Sequence, residues 1–180
     1  MKPIFTIHAG EYLVGSEIEK QTNDWEIWLP SRDVGTDLLI RNKKNNSTKT
    51  IQVKFSKSWT ETHTKDQYKK YFRTQGWWTL NKEKIKNSPA DFWIFTLYSF
   101  DTSKNDFLIF KKEELIDLYV SLNRWNKERI QTYFWILKNG TAFEGRGLKK
   151  KDIEILVQNL DNYKIRNISN KLNNWSLLDK

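Results

Sequence analysis

The run DFWIFTLYSF, residues 91–100, constrains the fold more than any other part of the chain. Apolar and aromatic side chains fall on both of its alternating faces, so a strand made from it has to be covered on both sides. The run therefore predicts a central strand of a covered sheet. Residues 106–110 follow after a short gap and are predicted as its neighbour.

Helical and strand-like patterns alternate along the rest of the chain, which predicts an α/β fold with a mixed central β-sheet flanked by helices. Strands are predicted over 24–30, 36–40, 50–55, 76–80, 133–137 and 141–143, and helices over 8–22, 65–75, 111–122, 149–160 and 165–178, with a helical turn in NKEKIKNSPA. The polar loop NKKNNSTK predicts an antiparallel connection between the second and third strands. The Asn139-Gly140 pair predicts a tight type I′ turn in the last hairpin.

With 180 residues, the chain is long enough for one domain that buries a real core, and no linker divides it. The absence of cysteine excludes disulfides and thiolate metal sites. No segment approaches the roughly 20 apolar residues that cross a bilayer, and the N-terminus has no recognisable signal peptide. We expect a cytoplasmic protein without a membrane partner.

The positive charge of the chain is concentrated in one region. The formal net charge is +9, and residues 41–86 carry 13 lysines and arginines against three acids. A charge run of this kind can be a solvated face. Because aromatic residues are interleaved with the cations, it also fits a nucleic-acid-binding surface. The candidate DNA-binding residues are Lys43, Lys44, Lys49, Lys57, Lys65, Lys69, Lys70 and Arg73.

One acid of the first predicted helix lies on the side that packs against the core. At about 100° per residue, Glu11 falls on the same stripe as Val14 and Ile18, whereas Glu17 points the opposite way. A buried carboxylate costs free energy unless it has a partner. Glu11 is therefore either a ligand for a cation or a carboxylate at the margin of the core that pairs with a lysine.

Polar residues also occupy the second and third strands. In the third strand the apolar residues alternate with Gln52 and Lys54, so these two share the opposite face. Asp33 and Asp37 flank the turn before the second strand, and either can be a ligand. We favour Asp37 because it opens the strand, whereas Asp33 is placed to cap the turn.

Other motifs are weaker. His8 and His63 have no metal-ligand spacing and are left out of the site. The chain has no Gly-x-Ser-x-Gly motif and no GxxxxGK[ST] loop, so serine-hydrolase and NTPase chemistry are unsupported. Gly145-Arg146-Gly147 either brings a cation to a phosphate or simply ends the last hairpin.

The segments GEYLVGSEIEK, DVGTDLLI and IQVK follow one another in the order helix, strand, strand. In this order they resemble the PD-(D/E)XK nuclease superfamily, which includes many restriction enzymes and the archaeal-type Holliday-junction resolvases. The resemblance covers roughly residues 8–110. It implies a restriction-endonuclease-like core and a phosphodiesterase site that uses Mg²⁺ or Mn²⁺.

The same resemblance implies a role for each residue of the motif. Asp37 would be the central metal ligand, Glu11 the acid on the first helix, and Lys54 the lysine of the motif. Gln52 stands where the family more often has a second acid, although Gln-x-Lys versions occur. The amide oxygen of Gln52 and the backbone carbonyl of Val53 are the hard oxygen ligands that such a cation prefers. The cation would activate a water molecule, and Lys54 would offset the developing negative charge.

The expected function is a metal-dependent DNA endonuclease of the restriction or homing type. The alternatives are a structure-specific nuclease of the junction or repair type, and a non-catalytic nucleic-acid-binding protein with a degenerate site. We expect a single nuclease domain over 1–180, with its core at about 8–122. The extension at about 130–178 would add DNA contacts or a homodimer surface. Because Gln52 removes one negative charge, we expect one metal ion rather than two, bound more tightly when DNA is present.

Overall fold

The computed structural model describes residues 8–21, 23–31, 35–58, 60, 66–99, 103–158 and 160–179. The helices are α1 (Ala9–Gln21), α2 (Asp66–Lys69), α3 (Lys82–Lys86), α4 (Lys112–Ser121) and α5 (Lys150–Gln158), followed by 3₁₀ helices at Leu160–Arg166, Ser169–Lys171 and Trp175–Asp179. The strands are β1 (Trp25–Trp28), β2 (Leu38–Asn42), β3 (Thr48–Lys57), β4 (Phe72–Asn81), β5 (Phe92–Ser99), β6 (Lys104–Lys111), β7 (Arg129–Leu137) and β8 (Ala142–Glu144). Across these described ranges, no helix is both long and apolar enough to span a membrane.

The first sheet has five strands in the order β1-β2-β3-β5-β6. Its first three strands are antiparallel neighbours, β5 runs parallel to β3, and β6 returns antiparallel to β5. The predicted α/β architecture with a mixed sheet is therefore confirmed. β5 has neighbours on both sides, and its residues from Phe92 to Leu97 are all buried, as predicted for DFWIFTLYSF.

The second sheet has three antiparallel strands in the order β4-β7-β8. The helix predicted over 65–75 is wrong, because α2 ends at Lys69 and β4 begins at Phe72. Tyr68 and Phe72 stand at helical spacing and both pack in one apolar cluster, although one belongs to the helix and the other to the strand. Pairing with β7, which lies far along the chain, overrides the local period.

Two further expectations for the C-terminal part are wrong. The hairpin loop 138–140, which is described in full, has a positive φ only at Gly140 (+85°), whereas a type I′ turn needs two such residues. The helix predicted over 165–178 is replaced by two short 3₁₀ helices. Asparagine side chains bond to the backbone in this segment. Asn167 accepts hydrogen bonds from the backbone amide and the hydroxyl of Ser169, and Asn173 accepts one from the amide of Phe107. Such side-chain bonds compete with a continuous helix.

The first sheet is covered by a different apolar layer on each face. Val14 and Ile18 of α1 pack with Leu177 against one face. On the other face Phe95 meets Trp78 of β4 edge to face, with ring centroids 5.1 Å apart, and Phe134 of β7 at 4.9 Å. The second sheet and the first sheet therefore share one core, and a cleft opens at their junction.

Candidate active site

A cleft of about 1270 Å³ opens where the N-terminus of α1, the start of β2 and the middle of β3 face the end of β4 and α3. Glu11, Asp37, Gln52 and Lys54 all line it, together with Val53. Four of these side chains are nearly buried, with exposed fractions of 4% for Glu11, 7% for Asp37, 8% for Gln52 and 7% for Val53. Residues from three separate elements thus converge on one concave surface.

Asp37 directly precedes β2 and is held by hydrogen bonds to β3, the strand that carries Gln52 and Lys54. Its backbone amide donates to the carbonyl of Ile51 at 2.8 Å, which extends the pairing of β2 and β3 by one residue. Its carboxylate oxygen Oδ2 then accepts hydrogen bonds from the amide of Val53, at 2.8 Å, and from Nε2 of Gln52. Strand pairing therefore determines where this carboxylate points. Asp33, the alternative ligand, lies outside the described residues.

Glu11 lies on the buried stripe of α1, as the helical period predicted. It stands in the first turn of the helix, where a negative charge is favoured by the helix dipole, and its Oε2 accepts a hydrogen bond from the amide of His8 at 3.3 Å. The helix approaches β3 closely because residue 10 is glycine. A Cβ there would lie 2.8 Å from the Cβ of Phe55. That close approach brings Glu11 to the cleft.

Lys54 holds its charge over an aromatic ring. Its Nζ lies 5.3 Å from the ring centroid of Trp93, a favourable distance for a cation and an aromatic face. Trp93 is the partner of Gln52 in the parallel pairing of β3 and β5, so its ring lies on the same face of the sheet as Gln52 and Lys54. The positive charge of Lys54 is therefore placed inside the cleft beside Gln52.

The opposite wall of the cleft was not anticipated from the sequence. It is formed by the end of β4 and by α3, and it includes Asn81, Lys84 and Asn87. Asn81 caps α3 by accepting a hydrogen bond from the amide of Lys84 at 2.9 Å. A hydrogen bond connects the two walls: the indole Nε1 of Trp78 in β4 donates to the carbonyl of Phe55 in β3 at 3.2 Å. The only available signal was the basic composition of NKEKIK.

The oxygen atoms of the cleft fit a hard divalent cation, although they are few. In the described part of the chain no group of three or more His, Cys, Asp and Glu residues could hold a metal ion. The available set is two carboxylates, those of Glu11 and Asp37, with the amide of Gln52 and the carbonyl of Val53. The amide of Gln52 turns its nitrogen toward Asp37. A half-turn of the amide group would present its oxygen instead, so the donor set is compatible with a cation that displaces this hydrogen bond.

Those of the predicted DNA-binding residues that the structure describes do not line the cleft. Lys43 and Lys44 are in the turn between β2 and β3, where Lys43 donates to the carbonyl of Asn23 at 2.9 Å and Lys44 pairs with Asp24 at 2.6 Å. This turn is at the opposite end of the hairpin from Asp37.

The others are spread over three elements. Lys49 and Lys57 are at the two ends of β3, and Lys69 and Lys70 are at the end of α2. Arg73 makes a two-pronged ion pair with Asp106, at 3.0 and 2.6 Å. None of these described residues lines the cleft, and Lys65 and His63 lie outside the described ranges.

Comparison of the chain with models of protein families, with curated proteins and with solved structures gives no match. The cleft combines two nearly buried carboxylates, an amide that donates a hydrogen bond to one of them, and a lysine over an aromatic ring. Together they offer oxygen ligands on one side of the cleft and positive charge beside them.

Proposed function

We propose that this chain is a metal-dependent DNA endonuclease with a restriction-endonuclease-like core, and that the cleft is its phosphodiesterase site. The observation that carries the proposal is the convergence of Glu11, Asp37, Gln52 and Lys54 from α1, β2 and β3. The strand order adds support. As in the resemblance to PD-(D/E)XK nucleases, α1 is followed by three successive strands and later by β5, although β4 stands where most of the helix before β5 was expected.

Asp37, Glu11, the amide oxygen of Gln52 and the carbonyl of Val53 would hold Mg²⁺ or Mn²⁺. The chemistry such a cation would supply there is Lewis-acid polarisation of a phosphoryl oxygen and a lowered pKa for a water nucleophile. Asp37 is held by the amide of Val53, and Glu11 by the amide of His8, so both carboxylates are oriented before any substrate arrives.

Lys54 would act on the phosphate itself. Its ammonium group stands over Trp93 in the cleft, where it can donate hydrogen bonds to a phosphate oxygen and offset the negative charge that develops during hydrolysis. An ammonium group has three donors, so Lys54 can also orient the attacking water.

DNA is the proposed substrate because of the charge of the chain. A polyanion is attracted by the net charge of +9, and Lys84 adds a second cation to the cleft wall opposite Lys54. Cutting both strands of a duplex would take two copies of the site, as in a homodimer.

The proposal is tested by incubating plasmid, single-stranded and branched DNA with Mg²⁺ or Mn²⁺. We expect the wild-type protein to cut at least one of these substrates. Asp37→Asn and Lys54→Ala should lower the rate by at least about 10²-fold, as expected when charge stabilisation at the reacting centre is lost. Asp91→Asn is the matched control for Asp37, because its carboxylate also accepts a hydrogen bond from a β3 amide, at 2.8 Å from Thr50. Lys104→Ala, an exposed lysine at the start of β6, is the control for Lys54.

Equal rates for Asp37→Asn and Asp91→Asn would contradict the proposal. A second candidate function is a non-catalytic DNA-binding protein. It is favoured by the hydrogen bond from Gln52 to Asp37, which satisfies that carboxylate oxygen without a cation. Salt-sensitive DNA binding with no cleavage by any variant would establish this second function.

A further inference from the structure

The second sheet has an outer face that the described residues cover only in part. The pairing of β4 with β7 places three residues of each strand side by side on this face. Their neighbours along the strands, such as Trp78, Leu80 and Phe134, point inward to the shared core. We call the uncovered part the open face, and it consists of Trp77, Thr79, Asn81, Arg129 and Gln131. Tyr133, the partner of Trp77, lies at its border, because it is partly buried against the apolar cluster on the rest of the outer face.

The rest of the outer face is closed by helices. Phe72, Trp135 and Phe143 lie on it in an apolar cluster, and Tyr68 from α2 and Leu156 from α5 pack over them. This cover ends before Trp77, whose side chain is 54% exposed. The open face is thus the part of the outer face that the described residues leave without a covering layer.

The open face continues into the cleft. Thr79 and Asn81 belong to the open face and also line the cleft that contains Lys54. Trp77 lies two residues from Thr79 along the same strand, about 7 Å away at the rise of a β-strand. A nucleic acid with a phosphate in the cleft would therefore have its neighbouring nucleotides over the open face.

The chemistry of the open face suits unpaired bases. It combines an exposed indole ring with an exposed arginine and with amide groups, and none of its five residues is acidic. At the border of the face, the ring of Tyr133 already has a cation over it, since Cζ of the Arg146 guanidinium lies 5.0 Å from its centroid. Base pairs in a continuous duplex hide their faces in the stack, whereas unpaired bases can stack on an aromatic side chain that lies on a sheet.

We propose that the open face binds unpaired bases of DNA next to the cleft, with Trp77 as the stacking platform. Arg129 and Arg146 would contribute positive charge for the adjoining phosphates. This inference rests on the proposed function, and it defines the substrate as DNA that has single-stranded nucleotides beside the bond to be cut. Such DNA includes single strands, overhangs and branched structures.

The test is DNA binding without cleavage, measured by fluorescence anisotropy in EDTA with a labelled single-stranded oligonucleotide and a labelled blunt hairpin duplex. We expect Trp77→Ala to weaken binding of the single strand by about 5- to 150-fold, the factor that one base stacked on an aromatic ring supplies. Binding of the duplex should change by less than about twofold. Trp77→Phe, which keeps an aromatic ring, should restore most of the loss.

Trp28→Ala is the matched control, because Trp28 is 57% exposed but lies on the edge strand β1 of the first sheet. It should leave the binding of both probes unchanged. The inference is overturned if Trp77→Ala behaves like Trp28→Ala, if it weakens duplex and single strand equally, or if the wild-type protein binds no DNA. If Asp37→Asn cuts as well as wild type while the Trp77 effect is present, the proposed function fails and the open face stands. If cleavage needs Asp37 but Trp77 has no effect, the reverse holds.

Discussion

Gln52 is the residue on which the chemistry of the cleft depends most. It is an amide, and its Nε2 donates to Oδ2 of Asp37 in a nearly buried position. This bond satisfies a carboxylate oxygen that a cation would otherwise satisfy. A cation would therefore have to displace an internal hydrogen bond. For this reason we expect the free protein to bind a cation weakly, and to bind it more tightly when a substrate phosphate adds a further oxygen ligand.

The substitution Gln52→Glu should favour cation binding over the internal hydrogen bond to Asp37. In the free protein the donor is lost and two carboxylates face each other, so we expect the free energy of unfolding to fall by about 1–3 kcal/mol. Mg²⁺ should bind more tightly than to wild type and should recover the loss. The measurement is urea unfolding with and without Mg²⁺.

Gln21→Glu is the matched control for this change. Nε2 of Gln21 also donates to a carboxylate, that of Glu17, at 2.8 Å, but this bond is exposed. Its loss should have a small effect that Mg²⁺ does not alter. If Mg²⁺ stabilises both variants to the same extent, the cation does not bind between Asp37 and residue 52.

The residues of the cleft were predictable from the sequence to different degrees. The strand period alone put Gln52 and Lys54 on one face, and the helical period put Glu11 on the buried stripe. Lys84 and Trp93 were missed, because they reach the cleft only through the packing of β4, α3 and β5. No spacing in the chain signals a contact that depends on how two sheets meet.

Among the elements, the 3₁₀ helix Ser169–Lys171 is held in place by a charged contact with α4. Lys171 is nearly buried, and its Nζ donates to Oε1 of Glu114 at 2.5 Å. Burial raises the pKa of Glu114, but the hydrogen bonds from Lys171 and from the amide of Lys111 outweigh it, so the net pKa is lowered. This contact links the C-terminal segment to the first helix that follows β6.

The lowered pKa predicts how stability depends on pH. A carboxyl whose pKa is lower in the folded state stabilises the fold above its unfolded pKa of about 4.3. This contribution is lost as the pH falls through the folded value. The difference in unfolding free energy between wild type and Glu114→Gln should therefore shrink between pH 6 and pH 3, as measured by urea unfolding.

Glu113→Gln removes a charge from the exposed neighbour of Glu114 and is the control for net charge. Its difference from wild type should change less over the same range. A difference for Glu114→Gln that stays constant with pH would show that the contact with Lys171 does not stabilise the fold through the ionised carboxylate.

Some helices and strands were predictable because they follow from their own sequence, whereas others depend on contacts with distant parts of the chain. α1 and the strands of the first sheet follow their own hydrophobic periods and were predicted closely. For β4, the sequence predicted a strand only over 76–80 and a helix over the residues before it. The pattern misled because the partner strand β7 is more than 40 residues away in the sequence. The C-terminal 3₁₀ helices were predicted as one helix, since apolar spacing alone does not show that the asparagines bond to the backbone.

The molecule as a whole is two sheets that share one core, with the cleft at their junction. The second sheet is secured by Glu144, which is fully buried and bonded to Arg124 at 2.7 Å and to Arg166 at 2.9 Å. The first sheet supplies the acids and Lys54, and the second sheet supplies the opposite wall and the open face. In this arrangement the first sheet would perform the chemistry and the second would hold the substrate.

The central claim is that Asp37 and its neighbours hold one divalent cation together with DNA. It is tested most directly by counting bound Mn²⁺ by electron paramagnetic resonance in the Lys54→Ala protein, which keeps every proposed ligand and should not cut. We expect about one Mn²⁺ per chain with DNA present, much weaker binding without DNA, loss of binding on adding Asp37→Asn, and no loss on adding Asp91→Asn. Mn²⁺ binding that survives Asp37→Asn, or no binding in the presence of DNA, would contradict the account.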